Sequence, residues 1–141
     1  MSMTAEDYIA KAGRALEEAH VLLNAGGLEG ACNRAYYAMF DAAHAALLVT
    51  GVTVPDASPK THRSLIASFG LNLVKAGTIE PDLGSALNKV ERLRRLADYT
   101  GETVTDEDAR WAVDQAGELV NTVRERMLPD ESTSRPAAPR P

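Results

Sequence analysis

Arg94 stands where the helical pattern around it calls for a hydrocarbon. Leu83, Ala86, Leu87, Val90, Leu93 and Ala97 recur at three- and four-residue intervals, and at about 100° per residue the Arg94 side chain projects between Leu83 and Leu87. A guanidinium beside a core costs several kcal/mol unless it is paired. It therefore needs Asp98 one turn on, another buried acceptor, or a water-filled site in which it holds an anion. Cation before anion is the weaker order for an i, i+4 pair. A structural ion pair and an anion site thus compete for the segment Arg94-Arg95-Leu96-Ala97-Asp98-Tyr99.

A second group lies upstream. Arg34, Tyr37, Asp41 and His44 follow spacings of three, four and three, which confines them to an arc of roughly 80° on one helix. Together these four types can bind phosphate, orient a water and titrate near neutrality, whereas a solvated face more commonly shows lysine and glutamate. The structural alternative pairs Arg34 and Asp41 with neighbouring helices and leaves His44 a satisfied core histidine. His62, in Lys60-Thr61-His62-Arg63, opens a helix, where free backbone amides can meet an anion and where a histidine can equally serve as a cap. Three histidines and one cysteine show no close metal-ligand spacing, and there is no glycine-rich phosphate loop or nucleophile elbow. No metal and no cofactor is expected.

The elements that must position these residues are helices. Thr4 with Asp7 forms a capping box with Asp in place of Glu, and Tyr8, Ala12, Ala15, Leu16, Ala19, Leu22 and Leu23 carry a first helix to about Asn24. Ala25-Gly26-Gly27 breaks it. A long alanine-rich helix follows from Leu28 to about Thr50, with Cys32, Tyr36, Met39, Phe40, Ala43 and Leu47 on one side. Gly51 to Pro59 reads as a loop, and a third helix runs from about Thr61 to Lys75 with Gly77 as its stop. Pro81 suits the first turn of the Arg94 helix, which ends near Tyr99. Val104-Thr105-Asp106-Glu107-Asp108 starts the last helix, with Thr105 as cap and Ala109, Ala112, Val113, Ala116, Leu119, Val120, Val123 and Met127 on its apolar face. Gly13, Gly70, Gly84 and Gly117 fall inside helices, where each costs roughly 1 kcal/mol against alanine, so some are expected to permit close helix crossings.

The pattern predicts an all-α, up-and-down bundle of four to five helices. Residues 1–128 form the domain, and 129–141, rich in proline, serine and threonine, form a disordered tail. At 141 residues and 45% hydrophobic content the chain buries one core. A net charge of −5 argues against broad, non-specific nucleic-acid binding, though not against a local basic site. The single cysteine, Cys32, sits in apolar surroundings and reads as a buried thiol in a reducing compartment. No signal segment and no apolar run of membrane-spanning length is visible, so a cytoplasmic protein is expected.

The order of motifs resembles the HEPN superfamily. Asn33-Arg34-Ala35-Tyr36-Tyr37-Ala38-Met39-Phe40 on the second helix, Lys60-Thr61-His62 after a loop, and Arg94-x-x-x-Asp98-Tyr99 on the fourth are similar to its small stand-alone prokaryotic branch, over roughly Ala5 to Met127. The resemblance implies a helical bundle, usually a homodimer, whose second and fourth helices meet in a cleft. Many such proteins are metal-independent ribonucleases, and small ones often act as toxins paired with a minimal nucleotidyltransferase antitoxin. Their catalytic signature is an arginine followed after four to six residues by a histidine. Here four residues after Arg94 lead to Tyr99, and no histidine follows His62. Tyrosine, with an ordinary pKa near 10, is a poor general base. The resemblance therefore implies two readings. In one, a ribonuclease-like toxin uses Arg94, Asp98 and Tyr99 as its catalytic set, with Asn33, Arg34, Tyr37, Asp41, His44 and His62 binding the phosphate or RNA. In the other, a non-catalytic domain uses the same cleft to bind a nucleotide, an RNA or a partner protein.

Overall fold

The computed structural model describes residues 3–52, 59–100 and 103–128, and the side chains of all of these except 59–61, 99 and 100. Most of the loop expected over Gly51–Pro59, the side chains of Lys60, Thr61 and Tyr99, and the tail at 129–141 lie outside the described residues. Five α-helices follow in order: α1 (Ala5–Asn24), α2 (Leu28–Val49), α3 (Pro59–Phe69), α4 (Pro81–Thr100) and α5 (Asp106–Arg126). No strand occurs among the described residues, and none of their helices is long and apolar enough to cross a membrane.

The helix ends follow local chemistry. Thr4 Oγ1 accepts from the Asp7 amide at 3.0 Å while the Asp7 carboxylate accepts from the Thr4 amide at 2.9 Å, so two otherwise unpaired donors of α1 are satisfied reciprocally. Thr105 caps α5 through one such bond, its Oγ1 accepting from the Asp108 amide at 3.0 Å. Gly26 ends α1 with φ +83°, a left-handed conformation that glycine adopts without strain, and the Gly27 amide returns to the Leu22 carbonyl at 2.8 Å. The third helix departs from the pattern. It ends as an α-helix at Phe69 and continues through a single π turn, Gly70–Val74, closed by the Lys75 amide on the Gly70 carbonyl at 2.8 Å. Leu65, Phe69 and Leu73 are spaced by four, which overshoots one α-helical turn, and the wider turn rotates Leu73 back into the core. All three are buried.

α2 is the centre of the bundle, packing against α1, α3, α4 and α5. Its residues Ala35, Ala38, Ala42, Ala43, Ala45 and Ala46 are all fully buried. Small side chains on every flank let four helices approach one axis. The apolar stripes of the other helices close on it: Ala12, Ala15, Ala19 and Leu23 from α1, Leu83, Leu87 and Val90 from α4, and Val113, Ala116, Leu119 and Val120 from α5. Cys32 is fully buried, and burial together with Asp108 and Glu29 pushes its thiol up to about 11.

The helical glycines divide into two kinds. A Cβ at Gly84 would lie 2.8 Å from Val74 Cγ2, so α4 crosses the π turn at glycine distance, whereas a Cβ at Gly117 meets nothing within 4 Å. Gly117→Ala is expected to stabilise the fold by about 0.5–1 kcal/mol from helix propensity alone. Gly84→Ala gains the same propensity but must displace Val74, and is expected to fall at or below the wild type. Urea midpoints of the two variants measure the difference, and equal midpoints would refute the close crossing.

Candidate functional site

Arg94 is held over the aromatic ridge of α2. Only 12% of its side chain is exposed, and its guanidinium carbon lies 4.7 Å from the Tyr36 ring centroid and 5.8 Å from that of Tyr37. Both distances fit cation–π contact. Asp98 accepts from one terminal nitrogen at 3.3 Å, and Glu91 lies 3.9 Å from the other, beyond a hydrogen bond. Nε is buried with no hydrogen-bond partner among the described residues. Of the five N–H donors of a guanidinium, one is thus engaged by a side chain among the described residues, and at a long distance.

The carboxylates around it are not waiting for Arg94 alone. Glu91 is bonded by Arg95 at 2.8 Å in the favourable i, i+4 order, and Asp98 is 40% exposed to water. Arg34, from the preceding turn of α2, pairs with Glu18 of α1 at 3.1 Å and sits 5.3 Å from the Tyr37 ring centroid. Two guanidinium groups from α2 and α4 therefore lie within 6 Å of one half-buried tyrosine ring. The resemblance implies such a meeting of the second and fourth helices.

α3 brings a histidine to the same place. His62 Nδ1 is 2.6 Å from the Tyr36 hydroxyl, and the imidazole stacks on Phe40 with centroids 4.3 Å apart and planes 24° from parallel. Burial and the Arg94 charge both lower the His62 pKa below its ordinary value, against a smaller opposing effect of Glu91. The ring is therefore neutral at pH 7. Burial raises the Tyr36 hydroxyl well above the ordinary tyrosine value despite Arg94, so the phenol stays protonated. The hydrogen bond fixes the imidazole by one nitrogen. The tautomer sets the direction: a phenol that donates to Nδ1 leaves Nε2–H as a donor, whereas Nδ1–H donated to the tyrosine oxygen leaves Nε2 as an acceptor.

The stripe Arg34, Tyr37, Asp41 and His44 is divided by its neighbours. Arg34 and Tyr37 face Glu18 and Arg94, whereas Asp41 and His44 are buried toward α1. His44 stacks on Tyr8 with centroids 3.9 Å apart, and burial and Lys11 lower its pKa. Burial raises the Asp41 carboxyl to about 6, opposed by Lys11, Arg34 and Arg14. Asn33 is half-buried on the α2 turn that carries Arg34.

Two participants escaped the sequence reading. Periodicity places Tyr36 in the core, and it is fully buried. A buried tyrosine nevertheless needs a partner for its hydroxyl, and that requirement was the available signal. Glu91 stands three residues before Arg94 and four before Arg95, the spacing at which it lies near both. Among the described residues no cluster of three or more histidine, cysteine or acidic side chains could hold a metal ion.

Comparison with known proteins agrees in extent with this architecture. The family model described as the HEPN domain matches residues 5–126. A Methanocaldococcus jannaschii protein named "Putative toxin" is 34% identical over 112 residues, covering 79% of this chain and 80% of the relative. A UPF0332 protein of Gloeobacter violaceus is 30% identical over 127 residues, 89% and 97% of the two chains. A third relative, a UPF0332 protein of Thermotoga maritima, is 34% identical over 98 residues, 70% of each.

Proposed function

The chain belongs to the HEPN domain family, and we propose that it is a toxin-like HEPN protein whose Arg94 cleft binds the phosphates of RNA. One observation carries this reading: a nearly buried guanidinium that has, among the described residues, an unpartnered Nε and a single long hydrogen bond. Buried polar groups are normally satisfied, and a planar fork of donors suits a phosphate. Arg34 adds a second cation across Tyr37, and Tyr37 offers a ring face on which a base can stack. The affinity has to be local, because the chain as a whole carries net negative charge. A relative bearing the name of a toxin supports the toxin-like assignment.

His62 favours a second step, cleavage of the strand so held. In the tautomer protonated at Nδ1, its neutral imidazole can accept the 2′-hydroxyl proton at Nε2 as the 2′-oxygen bonds to phosphorus, while Arg94 stabilises the phosphorane charge. The P–O5′ bond then breaks to leave a 2′,3′-cyclic phosphate, the 5′-oxygen taking its proton from the imidazolium or from water. The histidine missing after Arg94 is in this reading supplied from α3. Fluorescence anisotropy of a labelled single-stranded RNA at low salt, with chelator present, tests both steps. We expect wild-type binding that weakens with salt and on Arg34→Ala, and a His62→Gln variant that keeps binding but cleaves roughly 10²-fold more slowly or worse. Wild type that does not bind RNA overturns the reading, and binding without cleavage removes the second step.

A further inference from the structure

Tyr36 joins the two groups that the cleft brings together. Its ring carries the Arg94 guanidinium at 4.7 Å, and its hydroxyl meets His62 Nδ1 at 2.6 Å. Packing holds both rings of that bond. The phenol is fully buried with the Tyr37 ring edge-on at 5.1 Å, and the imidazole is stacked on Phe40 with Tyr37 again at its side, 88° from its plane and 5.9 Å away.

One proton lies between the hydroxyl oxygen and Nδ1, and either atom can supply it. Satisfaction of the buried groups decides which one does. If the phenol donates, its proton and the Nδ1 lone pair are both used. If Nδ1–H donates, the phenol proton needs another acceptor, and among the described residues the hydroxyl has no second hydrogen bond. Glu91, the nearby carboxylate whose charge reaches Tyr36, is engaged by Arg95 at 2.8 Å. An orphaned O–H in a fully buried position disfavours that arrangement by about one to two powers of ten. The charge states agree with the first arrangement, because burial keeps the phenol protonated while burial and Arg94 keep the imidazole neutral.

We propose that Tyr36 is a positioning residue whose hydroxyl donates to Nδ1 and holds His62 as the Nε2–H tautomer, so that the resting cleft offers an imidazole donor beside the Arg94 guanidinium and withholds the histidine base. Nε2–H can then share a phosphate oxygen with the guanidinium, and proton abstraction waits on rotation of the phenol. The consequence for cleavage rests on the reading of the Arg94 cleft as an RNA site, whereas the tautomer is a property of the protein alone. Long-range proton–nitrogen NMR spectra of the full chain, isotope-labelled at its histidines and recorded at neutral pH without RNA, read the tautomer directly. A His62→Gln sample identifies the His62 signals. In the wild type we expect a pyridine-like Nδ1 and a pyrrole-like Nε2, and in Tyr36→Phe shifts averaged between two exchanging tautomers. A pyrrole-like Nδ1 in the wild type, or spectra that Tyr36→Phe leaves unchanged, overturns the assignment. In the RNA cleavage assay Tyr36→Phe is expected to be about tenfold faster than the wild type, as the base tautomer is released. A slower variant that keeps its helical circular dichroism also overturns it, because Tyr36 would then be serving the base as an acceptor. If neither protein cleaves RNA, the ribonuclease step fails and the spectra alone decide the tautomer.

Discussion

An Arg94→Met variant is expected to fold at least nearly as stably as the wild type and to lose about two orders of magnitude in affinity for single-stranded RNA. Removing one member of a buried ion pair ordinarily destabilises by about 3–5 kcal/mol, because the remaining charge is left buried and alone. That penalty does not arise here. Glu91 keeps Arg95 at 2.8 Å, and Asp98 is open to water. The variant loses a single long hydrogen bond and the contacts with Tyr36 and Tyr37, and it no longer buries an unpartnered Nε. A methionine of similar length fills the space and contacts the same rings through its sulfur. Binding responds differently, since two charge-assisted hydrogen bonds to phosphate at about 1.5 kcal/mol each correspond to roughly a hundredfold. Urea denaturation and RNA anisotropy on one preparation check both halves. A loss of about 3 kcal/mol in stability would mean that Arg94 serves the fold and not a ligand.

Asp41→Asn is expected to stabilise the protein at neutral pH and to do nothing for it in acid. Asp41 is 4% exposed, and its burial outweighs the nearby cations Lys11, Arg34 and Arg14, raising the carboxyl from its ordinary 3.8 to about 6. Between those values the folded state binds more protons than the unfolded one, so stability falls as pH rises through the window. Above pH 6 the ionised carboxylate costs the full difference, on the order of 3 kcal/mol for two pKa units. The neutral amide avoids that cost, less what its own hydrogen-bonding groups require, and a gain of about 2 kcal/mol at pH 7.5 is expected. The gain should vanish near pH 4, where wild-type Asp41 is protonated in the folded protein. Urea midpoints at pH 7.5, 5.5 and 4 follow the sign, and a variant less stable than wild type at pH 7.5 would show that Asp41 is held ionised.

Much of this architecture was legible because helices are local objects. The Thr4–Asp7 box, the Thr105 cap, the stop at Gly26 and the start at Pro81 all depend on residues within one turn of each other. The misplacement of Arg94 was legible for the same reason, since its six apolar neighbours share its helix. The π turn was not, because an i+4 spacing carried from Leu65 through Leu73 looks α-helical until the core demands all three side chains. Nor was the hydrogen bond between Tyr36 and His62, which lie 26 residues apart across a loop. Periodicity correctly assembled Arg34, Tyr37, Asp41 and His44 into one stripe, but α2 is central and two different neighbours cover it. Tyr37 meets Arg94 of α4, whereas Arg34 pairs with Glu18 and His44 stacks on Tyr8, both of α1.

The alanines that surround α2 invert the usual direction of mutational fragility. A core of leucines fails by truncation, with each lost methylene leaving a void. A helix axis bounded by Ala35, Ala38, Ala42, Ala43, Ala45 and Ala46 has almost nothing to truncate, and alanine surrenders no rotamer freedom when it is buried. Its vulnerability is to growth: a single added methyl group on any flank wedges a different helix pair apart. Because α1 carries Glu18, the partner of Arg34, while α3 carries His62 and α4 carries Arg94, enlargement of an alanine far from the cleft would disturb the cleft's geometry before it unfolded the protein.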